Sequence, residues 1–523
     1  MSSNQQELTD LEQRGERMLE ELEGWLGSGM GDDIPREIAT TRARLKAEYL
    51  DSYPAVQRQL TLCGRAALLV FFAGAVDRAE VERELLEPLQ AASAEDIGDP
   101  GRLLRRALPG LAVKQLKSWQ DVEDEYVAGH LLLFVDGVSG GLAFDIKKIP
   151  VRSLSAPTDE QSVRGPQVAF IEDLKSNLGL LRDRVRTPRL KVWHEAVGTD
   201  TKTQVAIAHI AGRAKPDLVM QAQHVIGSAQ PRDLQILSSI TGLLEQRPYS
   251  LFPQVRMTTR VDEAAQAVLA GRLLVMMHGD PTAALYPATL GDFYRTMQDY
   301  MMTFWEASYV RILRTLATLV ALYLPAFYVV ATDTSPDLIP TRLAIVIAGS
   351  REGVPFTPLL EVVIMMVFIE LLREAALRMP KQMSSTLGTV GAIVLGTALV
   401  KAGLISDLMI VVATVTALAM FTAPTFEITS VWRIMAWPMA VAASLWGFLG
   451  IVAVSFVLVA SLASLEVAGE PYLAPLVPGA PSDMRDAILR LPMRSLGPLH
   501  PGQRGGSLLT ALGVGRRQRA GLR

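Results

Sequence analysis

The chain has 523 residues, 51 Lys+Arg against 54 Asp+Glu, and a single cysteine, Cys63. Balanced charge excludes a bulk electrostatic footprint for nucleic acid, and one cysteine excludes an intrachain disulfide or a cysteine-based zinc site. The balance hides a partition: the first 300 residues are ordinarily charged, and long charge-free runs begin at about residue 312.

Residues 1–60 form a variable polar lead-in, Glu-rich and broken by Gly27, Gly29 and Gly31. It lacks a basic n-region followed by an apolar run, so it does not read as a signal peptide, and the soluble region is expected on the cytoplasmic side. Residues 61–160 read as a first α/β domain. AALLVFFA at 66–73 predicts a buried strand ending at Gly74. An amphipathic helix follows at 77–89 with Asp77 as its N-cap. Residues 122–146 then predict a helix stopped at Gly129, a strand, a turn at Asp136-Gly137, and a second strand.

The same pattern returns in residues 161–300, which read as a second α/β domain. A strand at 204–211 closes at Gly212 and a helix follows; residues 261–287 give helix, Gly271 stop, strand, His278-Gly279 turn and strand. Gly74 and Gly212 lie 138 positions apart, and Gly129 and Gly271 lie 142 apart. Two near-equal offsets predict tandem copies of one domain. Between them, an amphipathic helix with Arg182, Arg184 and Arg186 predicts a solvated contact with a domain or subunit. The six histidines show no metal-ligand spacing, and no Ser-His-Asp group, carboxylate pair or phosphate loop stands out. No enzyme activity, cofactor or metal is expected.

Residues 301–468 predict an all-α membrane domain of five or six helices. The first span, 312–332, is preceded by Trp305, Tyr309, Arg311 and Arg314 and followed by Asp333 and Asp337. Residues 341–349 are apolar but too few to cross. The second span, 355–372, is followed by Arg373, Arg378 and Lys381; further apolar runs occupy 387–400, 408–426 and 434–465. The last run fits either one helix kinked at Pro438, Gly447 or Gly450, or a hairpin of two. Positive charge on alternate loops, and a basic tail at 469–523, put both termini in the cytoplasm and favour an even number of spans.

Within the second span stands Glu361, a carboxylate in an otherwise apolar stretch, costly in lipid by a few kcal/mol or more. It either faces a hydrated path or makes an interhelical hydrogen bond. Met365, Phe368 and Leu372 share its helical face, and the four are candidate pore-lining residues. Glu370 lies about 180° round the helix and is expected to pair with Arg373. Gly388, Ala392 and Gly396 form a small-residue stripe for close helix packing.

Several stretches in order resemble the A subunit of the GerA family of spore germinant receptors: VRGPQVAFIEDL at 163–174, RPYSLFPQ at 247–254, IPTRLAIVIAGSREGVPF at 339–356, ELLREAALRMP at 370–380, GTVGAIVLGTALVKAGLIS at 388–406 and GEPYLAPLVP at 469–478. Arg351, Glu352, Pro355, Glu370, Arg373 and Glu374 carry the more specific of these motifs. The resemblance implies a multi-pass protein of the endospore inner membrane, assembling as a homo-oligomer (a pentamer) into a nutrient-gated channel for monovalent cations. It also implies a transporter-like B subunit and a lipoprotein C subunit as partners. Thr397 and Lys401 stand where family members commonly have Gln and a carboxylate. The related stage V sporulation AF proteins share these motifs, leaving open a channel without its own nutrient sensor, or a non-conducting scaffold.

Overall fold

The computed structural model describes residues 33–46, 55–62, 64–72, 76, 78–91, 113–146, 168–229, 234–378, 396–477, 486, 489 and 490. The chain divides into two compact units, residues 1–153 with 175–193, and 154–174 with 194–523.

In the first unit, strands β1 (Ala55–Leu62), β2 (Arg65–Phe72), β3 (Val113–Leu116), β4 (Leu131–Val135) and β5 (Gly141–Phe144) form an antiparallel sheet in the order β1-β2-β4-β5-β3. β4 and the last six residues of β2 are buried, as expected of central strands with both faces covered. Helix α1 (Ile38–Leu45) and the helical stretch 78–91 precede α2 (Trp119–Val127). A capping box starts α2: Asp121 N–H donates to Ser118 Oγ at 3.2 Å, and the Ser118 amide donates back to the Asp121 carboxylate at 3.1 Å. Gly129, at φ +85°, ends the helix in the left-handed conformation that favours glycine. The described residues of the polar lead-in, 33–46 and 55–60, are part of this fold. Ile34 and Leu45 sit in its core, and β1 begins at Ala55, ahead of the domain start expected at residue 61. α3 (Leu174–Arg184), grouped by sequence with the second domain, belongs here for most of its length, with the Arg182 guanidinium 4.0 Å over the Phe72 ring.

β6 (Leu190–Val197), β7 (Thr203–Ile210), β8 (Arg256–Thr258), β9 (Leu273–Met277) and β10 (Ala283–Tyr286) form a second sheet in the order β6-β7-β9-β10-β8. The strand order repeats that of the first sheet. So does the register: Ala67 pairs with Val135 and Val205 with Met277, positions separated by the same 138 and 142 residues. Turn hydrogen bonds repeat as well, Asp136 N–H to Ala66 O matching His278 N–H to Gln204 O. Helices α4 (Pro216–Ser228), α5 (Leu237–Leu244), α6 (Val261–Leu269) and α7 (Leu290–Tyr294) accompany this sheet.

The helical half follows as α8 (Phe304–Val329), α9 (Thr341–Arg351), α10 (Pro358–Arg378), α11 (Gly396–Lys401), α12 (Asp407–Met420), α13 (Phe426–Trp446) and α14 (Phe448–Ser464). Two of its helical segments, Phe304–Thr334 and Phe426–Trp446, are long and apolar enough to cross a membrane; α12 and α14 are shorter apolar helices. The base of this half meets the second α/β domain. There the Met257 amide of edge strand β8 donates to Glu427, and Phe252 packs against Trp432 and Tyr472. Side-chain contacts fix the helix directions. α13 runs from the base, at Glu427, to the far end, where Gly447 meets Thr334; α14 runs back, with Phe448 beside Phe327 and then Ser455 hydrogen-bonded to Tyr323 at 2.9 Å. The run 434–465 is therefore a hairpin of two helices. Gly447 turns it at φ +60°, and a Cβ at Gly450 would lie 2.0 Å from the Ala442 carbonyl oxygen. Pro438 lies inside α13 without ending it. The short apolar segment forms α9, 11 residues long, too short to cross a bilayer as a helix.

Candidate functional site

Glu361 lies in the first turn of α10 and is fully buried. Its carboxylate gathers donors from separate elements. Arg351 Nε, at the end of α9, reaches Oε1 at 3.0 Å. Oε2 accepts from the Tyr328 hydroxyl of α8 at 3.1 Å, from the Ser406 amide at 3.0 Å and from Ser406 Oγ at 2.8 Å. Ser406 is also the N-cap of α12, its hydroxyl accepting from the Met409 amide at 3.3 Å. Arg351 is held in turn by the Phe356 carbonyl at 3.2 Å. Both carboxylate oxygens have hydrogen-bond donors, and removing either member of the Arg351–Glu361 pair strands the other. Glu361 thus fastens α8, α9, α10 and α12 at the far end. The backbone is tight beside it: a Cβ at Gly403, φ +65°, would sit 3.0 Å from Gly353 O.

Met365, Phe368 and Leu372 descend from Glu361 along α10, each half-buried. On the opposite side, Glu370 accepts from Arg373 at 2.8 Å and from Arg433 of α13 at 3.2 Å. Arg373 also lies 5.6 Å from the centre of the Phe426 ring, which places this part of α10 near the base. Glu374 pairs with Arg378 at 2.6 Å on the exposed surface. Glu352 and Pro355 are exposed. Gly388 and Ala392 lie outside the described residues, and Gly396 opens α11. Thr397 and Lys401 are exposed on that helix.

Sequence reasoning singled out Glu361 but missed its partners. Tyr328 and Ser406 are 33 and 45 residues away, and nothing in their spacing points to Glu361. Arg351, ten residues away, had a usable signal: a carboxylate in an apolar helix calls for a nearby cation, and Arg351 flanks that segment.

A second polar cluster occupies the base. Asp299 is buried and takes Arg311 at 3.0 Å and Arg314 at 3.3 Å; Arg311 also reaches Asp486 at 2.8 Å. Arg490 donates to the Asp299 and Met302 carbonyls at 2.6 Å, binding the tail to the start of α8. Burial favours a neutral Asp299 carboxyl, but Arg314, Arg311 and the Thr296 amide outweigh it and hold its pKa below the usual range. Burial and the Asp486 carboxylate push the Tyr300 phenol up to about 12. Among the described residues no His/Cys/Asp/Glu group is arranged to hold a metal.

A family model described as Bacillus/Clostridium GerA spore germination protein matches residues 43–498. Spore germination protein B1 of Bacillus subtilis (strain 168) is 34% identical over 426 residues, 82% of this chain and 88% of the relative. The uncharacterized membrane protein YfkQ of the same organism is 33% identical over 431 residues, 82% and 83% of the two chains. The crystal structure of the N-terminal domain of the A subunit of the Bacillus megaterium spore germinant receptor GerK3 aligns with 48% of this chain and 95% of its own. Its identity is 22% and its TM-score 0.39.

Proposed function

The chain belongs to the GerA family of spore germination proteins, and from that premise we propose that it is a multi-pass membrane subunit of a germination receptor. In a homo-oligomer, a pentamer by family resemblance, it gates a path for monovalent cations across the spore inner membrane. Its partners are a transporter-like nutrient-binding subunit and a lipoprotein. The helical half passes the bilayer six times in this reading. Support comes from the alternating helix directions, from α10 approaching the base at Arg373 and from the chain standing at the far end again at Gly403. Outward-facing Leu449, Phe456 and Val457 on α14 suit contact with lipid. The α/β domains and the tail then face the spore core.

One observation carries the gating role: a fully buried carboxylate in an apolar helix, bonded to one guanidinium and to neutral donors from two other helical elements. An ion pair there is a latch. While Arg351 holds Glu361, the carboxylate is unavailable to a passing cation; when α9 moves, it is released beside the half-buried face of Met365, Phe368 and Leu372. Spores carrying Glu361→Gln should release potassium at an altered rate on germinant addition. Wild-type release at equal protein level removes Glu361 from the mechanism and favours a scaffold.

A further inference from the structure

A cavity of about 480 Å³, the size of a small-molecule site, opens between the second α/β domain and the linker entering α8. Arg213, Arg256, Arg272 and Arg295 line it, against Glu263, Asp292 and Asp486. Each of these carboxylates is already engaged. Glu263 is ion-paired with Arg256, Asp292 holds Arg272 at 2.7 Å, and Asp486 holds Arg311 at 2.8 Å. Among the described residues, neither Arg213 nor Arg295 has a carboxylate within ion-pair distance, and the buried Arg295 Nε has no hydrogen-bond partner. Arg213 donates to the Leu269 carbonyl at 2.5 Å and Arg295 acts on the Asp292 carboxylate from beyond ion-pair distance, so neither guanidinium has a carboxylate of its own, and an anion between them supplies one. Leu269, Leu285, Ala288 and Met297 supply the apolar wall.

We infer that this cavity binds an anionic phosphoryl group between Arg213 and Arg295. Two cations without carboxylates of their own suit a phosphoryl anion, whether the monoanion of a phosphodiester headgroup or a more highly charged free phosphate, and the planar guanidinium fork suits its oxygens. The group is supplied either by the headgroup of an acidic phospholipid, with its glycerol and upper chain on the apolar wall, or by a free phosphate compound. An occupant bridges Arg213, in the turn after β7, and Arg295, in the linker to α8, so it couples the α/β domain to the base of the helical half. The lipid source rests on the proposed membrane embedding of that half; the site itself does not.

The test is thermal unfolding of the full chain in a non-ionic, phosphate-free detergent, titrated with dioctanoyl phosphatidylglycerol or with inorganic pyrophosphate. The chain is compared with Arg213→Gln/Arg295→Gln and with Arg189→Gln, an exposed arginine that does not line the cavity, as a control. A saturable rise in midpoint with phosphatidylglycerol alone assigns a headgroup site; a rise with pyrophosphate assigns a site for free phosphate compounds. In either case the double variant should need at least about tenfold more ligand, as expected for loss of charge-assisted bonds, while Arg189→Gln behaves as wild type. No rise with either probe, or the same titration in the double variant, overturns the site. Because binding is read without ion flux, it stands or falls separately from conduction.

Discussion

The two ends of the helical half solve the same problem, a buried carboxylate, in opposite ways. At the far end Glu361 has one guanidinium partner and is completed by the neutral groups of Tyr328 and Ser406. At the base Asp299 is surrounded by Arg311 and Arg314, with Asp486 and Arg490 from the tail closing over them. The base is redundant, because losing one contact leaves several. The far end depends on a single charge pair, Arg351–Glu361, and the proposed latch rests on that difference.

The largest effect is expected where redundancy is least. Glu361→Ala strands Arg351 and should lower stability by about 3–5 kcal/mol, read as a drop in unfolding midpoint in detergent; a loss under about 1 kcal/mol would show the pair to be solvated. Asp299→Asn leaves two guanidinium groups near a neutral amide but keeps Asp486 on Arg311, so a loss of about 2–3 kcal/mol is expected by the same measurement. Asp299 also sets an acid limit. Its folded pKa is lowered, so its contribution is complete above the unfolded carboxylate value of about 3.9 and disappears as pH falls through the lower folded value. Stability measured across that window should fall more steeply in the wild type than in Asp299→Asn; parallel curves would refute the assignment.

Smaller changes sharpen the contrast. Ser406→Ala removes a hydroxyl bond to Glu361 and an N-cap, and should cost about 1–2 kcal/mol in chemical unfolding. Arg378→Gln breaks only the exposed pair with Glu374 and should change stability by less than about 0.5 kcal/mol. A larger loss there would mean that this surface is covered in the assembled protein.

The α/β repeat was legible because glycines mark it. Gly129 and Gly271 stop equivalent helices at positive φ, and the strands after them are unbroken apolar runs. β1 escaped notice because AVQRQLTL is an edge strand, polar on its open side, with Val56 and Leu60 only partly buried. The hairpin at Gly447 was left open for another reason. Both helices are apolar throughout, so the turn shows only in packing: the close approach of Gly450 to Ala442 and the contacts of α14 back along α8. Glu361 was visible as an anomaly of its own segment, whereas Tyr328 and Ser406 became its partners only through the packing of distant helices.

Potassium flux from liposomes containing the full chain, compared among wild type, Arg351→Gln, Glu361→Gln and the double variant, probes the latch itself. A latched conduit gives a tight wild type and a leak in Arg351→Gln, which frees the carboxylate, while Glu361→Gln and the double variant, which lack it, leak less than Arg351→Gln. Absence of flux in all four, with correctly inserted protein, contradicts conduction by this chain and leaves it a scaffold.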